Sequence, residues 1–118
     1  MGIHQFVHIG YLAMVGGMTR VDRDVPPYCL AEGHPGRMRG LNKVGIKRQN
    51  IDKENKEEYL QLKRIWNLLF KSDYVISDGL KIARQENLLQ SSARLCEFIE
   101  LSIGKGRRGP IPSLLSNK

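Results

Sequence analysis

The chain has 118 residues, of which 41% are hydrophobic and 26% charged, values close to those of an average soluble globular domain. This composition excludes a disordered polyelectrolyte, a collagen-like chain and a membrane-spanning bundle, and the length is that of one ordinary domain. Nineteen Lys and Arg against twelve Asp and Glu give a formal net charge of +7. A basic balance of this size favours partners that carry phosphate or other anionic groups.

The sequence contains no recognisable targeting or transmembrane segment. The longest apolar stretch near the start, residues 9–18, has no cationic leader, is interrupted by glycines and is too short to cross a bilayer. Cys29 and Cys96 match no metal-ligand spacing, so no metal site is predicted. Two widely spaced cysteines fit free thiols in a reducing compartment better than a disulfide scaffold. We therefore expect a cytoplasmic protein.

Residues 1–27 contain a repeat with a period of six. Aliphatic side chains recur at Ile3, Ile9, Val15 and Val21. Small or β-branched side chains recur four positions later, at Val7, Ala13, Thr19 and Val25. This period is typical of a parallel β-helix, in which each hexad forms one short strand and one corner and the aliphatic side chain points inward. The alternative, one or two alternating strands of an ordinary sheet, would show a period of two.

Residues 28–50 are rich in glycine, proline and cations, and they are predicted to form a basic substrate-binding loop or linker. Five cations and no acid lie between Arg37 and Arg48. Arginine can hold a phosphate with two donors, and lysine supplies a point charge. The alternatives are a solvated basic loop and a nucleic-acid site. Nucleic acid is disfavoured because aromatic residues make up only 7% of the chain and no known binding motif is present.

Residues 51–104 are predicted to form a C-terminal helical domain. Apolar residues at spacings of three and four predict helices over 51–71, from about 77 to 89 and from about 91 to 103. Asp52 is the expected cap of the first helix. Three amphipathic helices of this size indicate a small antiparallel bundle. Residues 105–118 contain two prolines and two glycines and are predicted to be an irregular, exposed tail.

A series of short motifs in the first half of the chain resembles one family. The motifs are Ile3-His4-Gln5-Phe6, Ile9-Gly10, Met14-Val15-Gly16-Gly17-Met18, Asp24-Val25-Pro26-Pro27-Tyr28, Glu32-Gly33, Gly40-Leu41-Asn42 and Gly45-Ile46-Lys47-Arg48. In order and spacing they resemble the C-terminal part of the acyl-[acyl-carrier-protein]–UDP-N-acetylglucosamine O-acyltransferases. The helical remainder also resembles that family, but its sequence contains less specific motifs.

This resemblance implies a β-solenoid plus α fold, in which the end of a left-handed parallel β-helix of hexapeptide repeats precedes a small C-terminal helical bundle. It also implies a homotrimer with active sites between subunits. The implied activity is transfer of a (3-hydroxy)acyl chain from acyl carrier protein to the 3-hydroxyl of UDP-N-acetylglucosamine, the first step of lipid A biosynthesis. No cofactor is expected beyond the phosphopantetheine that the donor protein carries.

The resemblance implies substrate-binding roles for four residues. His4 and Gln5 match a His-Gln pair along the family's substrate cleft. Asn42 matches a nucleotide contact, and Arg48 matches a basic residue near the phosphates. These four residues are therefore the expected contacts of UDP-N-acetylglucosamine.

The resemblance also implies an acyl groove. Met14 and Gly17 match positions that line it, where side-chain size limits the length of the acyl chain. The sequence departs from the family at Val44, where an acidic nucleotide contact is common, and at Gln49, where a second arginine is common. We therefore expect the nucleotide contacts of this chain to differ in detail from the family pattern.

No residue of this chain is predicted to be catalytic. The family's general base is a histidine on coils upstream of its His-Gln-Phe motif, and it removes the proton of the attacking sugar hydroxyl. His4 matches a different family histidine, and His8 and His34 match no catalytic position. The isolated chain is thus expected to be inactive. The alternative hypothesis is a catalytically inactive binding or trimer-assembly module derived from the same family.

Overall fold

The computed structural model describes residues 2–3, 7–104 and 106–113. The strands are β1 (Gly2–Ile3), β2 (Met14–Val15), β3 (Arg20–Val21), β4 (Cys29–Glu32) and β5 (Arg37–Leu41). The helices are α1 (Lys43–Arg48), α2 (Ile51–Glu54), α3 (Lys56–Phe70), α4 (Ile76–Arg84) and α5 (Gln90–Ser102). Across the described residues, no helix combines the length and the apolarity needed to cross a membrane.

The strands of residues 1–27 pair in parallel with strands that lie sixteen to eighteen residues later in the sequence. In the β1–β3 pair, Gly2 lies opposite Arg20, eighteen residues on. Eighteen residues correspond to three of the predicted hexads. In the β2–β4 pair, Met14 lies opposite Leu30, sixteen residues on. Short direct connections between strands give antiparallel hairpins, so this parallel pairing requires a chain that winds back over itself.

The aliphatic positions of the repeat are buried to different degrees. Val21 is fully buried, and Val15 packs at the edge of the same small cluster. Ile9, in contrast, is 40% exposed. It pairs with Val25 on one side, and no strand among the described residues pairs with its other side. The expectation that each repeat aliphatic points into a core is therefore wrong for Ile9, because a single turn of chain covers only one side of it.

The segment predicted to be a basic loop, residues 28–50, contains regular secondary structure instead. β4 and β5 form an antiparallel hairpin, and α1 follows it. In β5 the cations Arg37 and Arg39 alternate with Met38, which is 1% exposed. Outward cations are compatible with a strand whose other face is buried. The loop prediction is therefore wrong, because the glycines and charges concealed this alternation.

The helix predicted over 51–71 is two helices. Asn55 separates α2 from α3, with φ −129° and ψ 62°, values outside the helical region. Asp52, the predicted cap, lies inside α2, whose N-cap position is Asn50. The backbone therefore leaves the helical conformation at Asn55, and α3 packs in the main core with α4 and α5.

The other two helices exist as predicted, with shifted ends. α4 ends at Arg84 rather than near residue 89, and α5 begins at Gln90. Leu95 and Ile99 of α5 are fully buried. They pack with α3, α4 and the hairpin in one main hydrophobic core. The helical domain therefore has a core of its own, which the β4–β5 hairpin helps to close.

Residues 109–113 of the predicted tail are packed against the strands. The Ile111 N–H donates to the Asp24 carbonyl at 2.9 Å, and the Met38 N–H donates to the Pro112 carbonyl at 2.9 Å. The Ile111 side chain is fully buried. The prediction of an exposed tail is therefore wrong for these residues. An edge segment needs N–H donors only at alternate positions, so the prolines on both sides of Ile111 are tolerated.

Gly10 should be far less tolerant of a side chain than Gly17. A Cβ at Gly10 would lie 2.5 Å from the backbone nitrogen of Pro27 and 2.7 Å from its Cδ. We expect Gly10→Ala to lower the free energy of unfolding by about 1–3 kcal/mol, measured by urea denaturation, because the backbone must move. Gly17→Ala is the matched control, since a Cβ there meets no atom within 4 Å. Its effect should stay within about 0.5 kcal/mol. Equal losses in the two variants would contradict the close packing at Gly10.

Candidate functional site

A cleft of about 560 Å³ lies between the β4–β5 hairpin, the start of α1 and one face of α3. We call it the α3 cleft. Its charged lining consists of four cations and one acid: Arg39, Lys43, Lys63, Lys71 and Glu32. The cleft therefore attracts anions, and it is the place where two of the predicted site residues, Met14 and Asn42, come together.

Asn42 shapes the mouth of the cleft and caps α1. Its Oδ1 accepts from the Gly45 N–H at 3.1 Å, and its Nδ2 donates to the Leu12 carbonyl at 3.0 Å. Gly45 leaves the space for this cap, because a Cβ there would lie 2.5 Å from Asn42 Nδ2. An amide has two N–H donors and two acceptor lone pairs. These two bonds leave one donor and one acceptor of Asn42 unused, and the fold fixes the orientation of its side chain.

The two residues predicted for an acyl groove lie in different surroundings. Met14 is in β2, is 46% exposed and forms one edge of the α3 cleft. Gly17 is exposed and lies outside the lining of that cleft. The space around Gly17 is open for at least 4 Å from the position of a Cβ. Within this chain, Met14 and Gly17 therefore border open surface rather than a closed tunnel.

Arg48 lies at the far end of α1 from Asn42. The two are six positions apart, about 9 Å along the helix axis, and Arg48 is exposed outside the lining of the cleft. Val44 is 55% exposed and lines the cleft, while Gln49 is the C-cap of α1. The structure therefore joins Asn42 to Met14 and Val44 but holds Arg48 on a separate exposed surface.

The remaining predicted site residues, His4 and Gln5, lie outside the described residues. Among the other histidines, His8 takes part in the structure through its backbone N–H, which donates to Asp24 Oδ1 at 2.8 Å. This contact belongs to the packing of the strands.

One wall of the cleft was not identified from the sequence. This wall consists of Tyr59, Lys63 and Trp66 of α3 and of Lys71, the residue that caps the C-terminal end of α3. The Lys63 ammonium lies 5.4 Å from the centre of the Tyr59 ring, and that of Lys71 lies 5.6 Å from the Trp66 ring. The spacing of cations and aromatic residues at helical intervals is the sequence signal for such a wall.

Asp24 is a buried carboxylate. Its hydrogen-bond partners are also not predicted from the sequence. Its Oδ2 accepts from Arg107 Nη2 at 2.6 Å and from Ser102 Oγ at 2.7 Å, and its Oδ1 accepts from the His8 N–H. Burial alone would raise the pKa of Asp24, but these hydrogen bonds and the nearby guanidinium hold that pKa below its usual range. Asp24 thus stays ionised and joins the strands to α5 and the C-terminal segment.

The two cysteines are not candidate nucleophiles. Burial raises the pKa of Cys96 to about 11 and raises the pKa of Cys29 further. Both thiols are therefore protonated near neutral pH, whereas the thiolate is the reactive form. Cys96 lies in the main core, where it packs as a small apolar side chain.

Residues 24–111 match the family model described as UDP N-acetylglucosamine O-acyltransferase, domain 2. The chain therefore belongs to this family. Two cyanobacterial relatives, from Gloeothece citriformis and a Synechocystis species, are each 42% identical over 95% of this chain. Both are acyl-[acyl-carrier-protein]–UDP-N-acetylglucosamine O-acyltransferases. The chain spans about two fifths of their length, 40% in each case.

Solved structures of UDP-N-acetylglucosamine acyltransferases resemble the fold. The Arabidopsis structure superposes with a TM-score of 0.83 at 28% identity, over 92% of this chain and 39% of its own. The Campylobacter jejuni structure gives a TM-score of 0.77 at 31% identity, over 94% of this chain and 40% of its own. The likeness thus extends over the strands, the hairpin and the helical domain together.

Proposed function

We propose that this chain supplies the C-terminal portion of an enzyme that transfers a (3-hydroxy)acyl chain from acyl carrier protein to the 3-hydroxyl of UDP-N-acetylglucosamine, the first step of lipid A biosynthesis. The observation that carries the proposal is the meeting of Met14 and Asn42 at one cation-lined cleft, in a chain of the UDP-N-acetylglucosamine O-acyltransferase family. An apolar edge beside anion-attracting side chains suits an acyl chain and a sugar nucleotide.

The strands are proposed to be the end of a left-handed parallel β-helix of hexapeptide repeats. The parallel β1–β3 register of eighteen residues, three hexads, supports this. The exposed Ile9 would be covered by a further coil stacked on its free side. We further propose a homotrimer with sites between subunits, located in the cytoplasm. Open surface around Gly17 supports an acyl groove that a neighbouring subunit closes.

Within this enzyme, His4 and Gln5 would lie along the substrate cleft, Asn42 would contact the nucleotide and Arg48 its phosphates. The free donor and acceptor of Asn42 are suited to a base edge or an amide. The reaction needs a base that takes the proton of the sugar hydroxyl as it attacks the thioester, and no residue of this chain is assigned to that step. The phosphopantetheine of the donor is the only prosthetic group involved.

Arg48→Ala should weaken the binding of UDP-N-acetylglucosamine to the chain about tenfold or more. A charge-assisted hydrogen bond contributes about 1.5–3 kcal/mol, and each 1.4 kcal/mol corresponds to a factor of ten. Isothermal titration calorimetry measures the dissociation constant directly.

Lys53→Ala is the control for this measurement, because Lys53 is an equally exposed cation on α2 to which no substrate contact is assigned. It should bind the sugar nucleotide as the unaltered chain does. Unchanged binding by Arg48→Ala would contradict the phosphate contact. Absence of binding by the unaltered chain would contradict the proposed nucleotide site.

A further inference from the structure

We propose that Arg94 of α5 is a positioning residue for Asn42, and thereby for recognition of the sugar nucleotide. Arg94 lies outside the lining of the α3 cleft, and it acts on Asn42 through Tyr11 and Tyr28. The inference rests on the proposed function, which assigns the nucleotide contact to Asn42. It extends that site to a side chain of the helical domain that belongs to none of the motifs recognised in the sequence.

The backbone that holds Asn42 has an unfavourable conformation at two points. The Asn42 N–H donates to the Tyr28 carbonyl at 2.6 Å, and Asn42 Nδ2 donates to the Leu12 carbonyl at 3.0 Å. Both of these residues have a positive φ, 56° at Leu12 and 65° at Tyr28. The left-handed conformation is costly for residues with a side chain, and it persists only where surrounding contacts enforce it. The two acceptors of Asn42 therefore need contacts that hold their backbone in place.

Arg94 supplies such contacts at both points. Its Nη1 donates to the Tyr28 hydroxyl at 2.6 Å, and its guanidinium carbon lies 4.2 Å from the centre of the Tyr11 ring. Tyr11 directly precedes Leu12, and its carbonyl accepts from the Tyr28 N–H at 2.8 Å. The two rings meet edge to face, with centroids 5.7 Å apart. One guanidinium thus contacts side chains on both of the segments that carry the acceptors of Asn42.

The surroundings of Arg94 favour this role over that of a surface ion pair. In the part of the chain that the structure describes, no carboxylate lies within ion-pair distance of Arg94, whereas Arg84 of α4 is paired with Glu100 at 2.8 Å. Tyr28 is 1% exposed and packs in the main core, while Tyr11 is 54% exposed. A charge-assisted hydrogen bond and a cation–π contact are both favourable at a half-buried site. Arg94 therefore ties the exposed Tyr11 to the buried Tyr28.

Arg94→Ala is expected to raise the dissociation constant for UDP-N-acetylglucosamine about two- to tenfold in isothermal titration calorimetry. The substitution removes both contacts, so the carbonyls that orient the Asn42 amide are held less firmly. A misoriented amide loses the free energy of an ordinary hydrogen bond to its ligand, which corresponds to a factor of this size. An unchanged dissociation constant would overturn the inference.

A double-mutant cycle with Asn42→Ala distinguishes positioning from a direct or general effect. If Arg94 acts through Asn42, its substitution should have no further effect in a chain that already carries Asn42→Ala. An equal loss in both backgrounds would mean that Arg94 acts by another route, and the inference would be wrong.

The matched control is Arg84→Ala, which removes an arginine that also contacts α5, through Glu100, and to which no substrate contact is assigned. It should leave the affinity for the sugar nucleotide within about twofold of that of the unaltered chain. A loss as large as that of Arg94→Ala would attribute the effect to reduced positive charge or to helix packing, against the proposal.

The side-chain amide of Asn42 gives a readout that requires no ligand. In nuclear magnetic resonance spectra of the isotope-labelled chain, Arg94→Ala should shift the Nδ2 proton resonances of Asn42 toward those of a solvent-exposed amide, because the bond to the Leu12 carbonyl weakens. The backbone amide resonances of Leu62 and Ile65, which are buried in the main core on α3, should stay in place. A shift of all these resonances together would indicate a general loss of structure and overturn the inference.

The two readouts separate this inference from the proposed function. If the unaltered chain does not bind UDP-N-acetylglucosamine, the proposed nucleotide site is wrong. In that case, a shifted Asn42 resonance in Arg94→Ala still supports the positioning of the side chain, and an unshifted one overturns it. If the unaltered chain binds the sugar nucleotide and Arg94→Ala binds it equally well, the inference alone is overturned.

Discussion

Asp24→Ala is expected to lower the free energy of unfolding by about 3–5 kcal/mol, measured by urea denaturation at pH 7. The side chain of Asp24 is 5% exposed and is paired with Arg107 at 2.6 Å. Arg107, whose side chain is 29% exposed, would keep its charge without this partner, and removing the buried partner of such an ion pair costs this much in typical proteins. The Ser102 hydroxyl and the His8 N–H also lose their acceptor. Few single substitutions remove so many contacts at once.

Asp22→Ala is the control, because it deletes the same functional group two positions away at a half-buried site. Its effect should stay within about 0.5 kcal/mol. If the two variants are equally destabilised, the loss comes from net charge and not from the contacts of Asp24.

The contribution of Asp24 should also depend on pH. Because its pKa in the folded chain is below the usual value, the unfolded state binds the proton more readily. The stabilisation is therefore complete above the ordinary carboxyl pKa of about 3.9, and it is lost as the pH falls below that value toward the lowered folded pKa. The difference in unfolding free energy between the unaltered chain and Asp24→Asn should shrink between pH 7 and pH 3. A difference that stays constant would contradict an ionised, stabilising carboxylate.

These contacts explain why the Asp24–Tyr28 motif was recognisable while its role was not. Asp24 bonds to Ser102 and Arg107, and the Tyr28 hydroxyl accepts from Arg94 Nη1 at 2.6 Å. Every one of these partners lies in α5 or just after it, more than sixty positions along the chain. Local patterning makes the motif recognisable, but it carries no information on which distant donors meet a carboxylate.

The same distinction applies to the elements of the fold. The three main helices follow from apolar spacing alone, because each has one strongly buried face. The sequence predicts a loop at β5, since its outward arginines and its glycine outweigh the buried Met38 and Leu41. The sequence predicts an irregular tail over residues 109–113, because two prolines normally signal irregular structure, and the pairing partners that hold these residues are Asp24 and Met38.

Only one of the two walls of the α3 cleft could be predicted from the sequence. Asn42 and Met14 belong to recognisable motifs, and the structure brings both to one cleft. The opposite wall comes from α3, where the spacing of Trp66 among the apolar residues indicates only a core position. Trp66 does lie in the main core, but it also lines the cleft. That a helical residue both packs in the core and lines a cleft is recognised only when the packing of α3 against the hairpin is known.

Ile111→Ala is expected to lower the free energy of unfolding by about 2–5 kcal/mol in urea denaturation. Ile111 is fully buried in the smaller of the two hydrophobic clusters. Its three fully buried companions there are Val21, Val25 and Ala31. Because these companions are small, they cannot collapse far into the space that the substitution leaves, and a persistent cavity adds to the lost transfer free energy.

Leu101→Ala is the matched control, because Leu101 is 74% exposed on α5, and it should change the free energy of unfolding by no more than about 0.5 kcal/mol. The loss at Ile111 should also be local, since the main core is a separate cluster. Hydrogen exchange should therefore show faster exchange of the Gly16 amide, which donates to the Ala31 carbonyl at 2.9 Å, while the Ile99 amide in α5 loses less protection. Uniform loss of protection would mean that the strands and the helical domain unfold as one unit. In that case the C-terminal segment stabilises the whole chain, and not only the strands it covers.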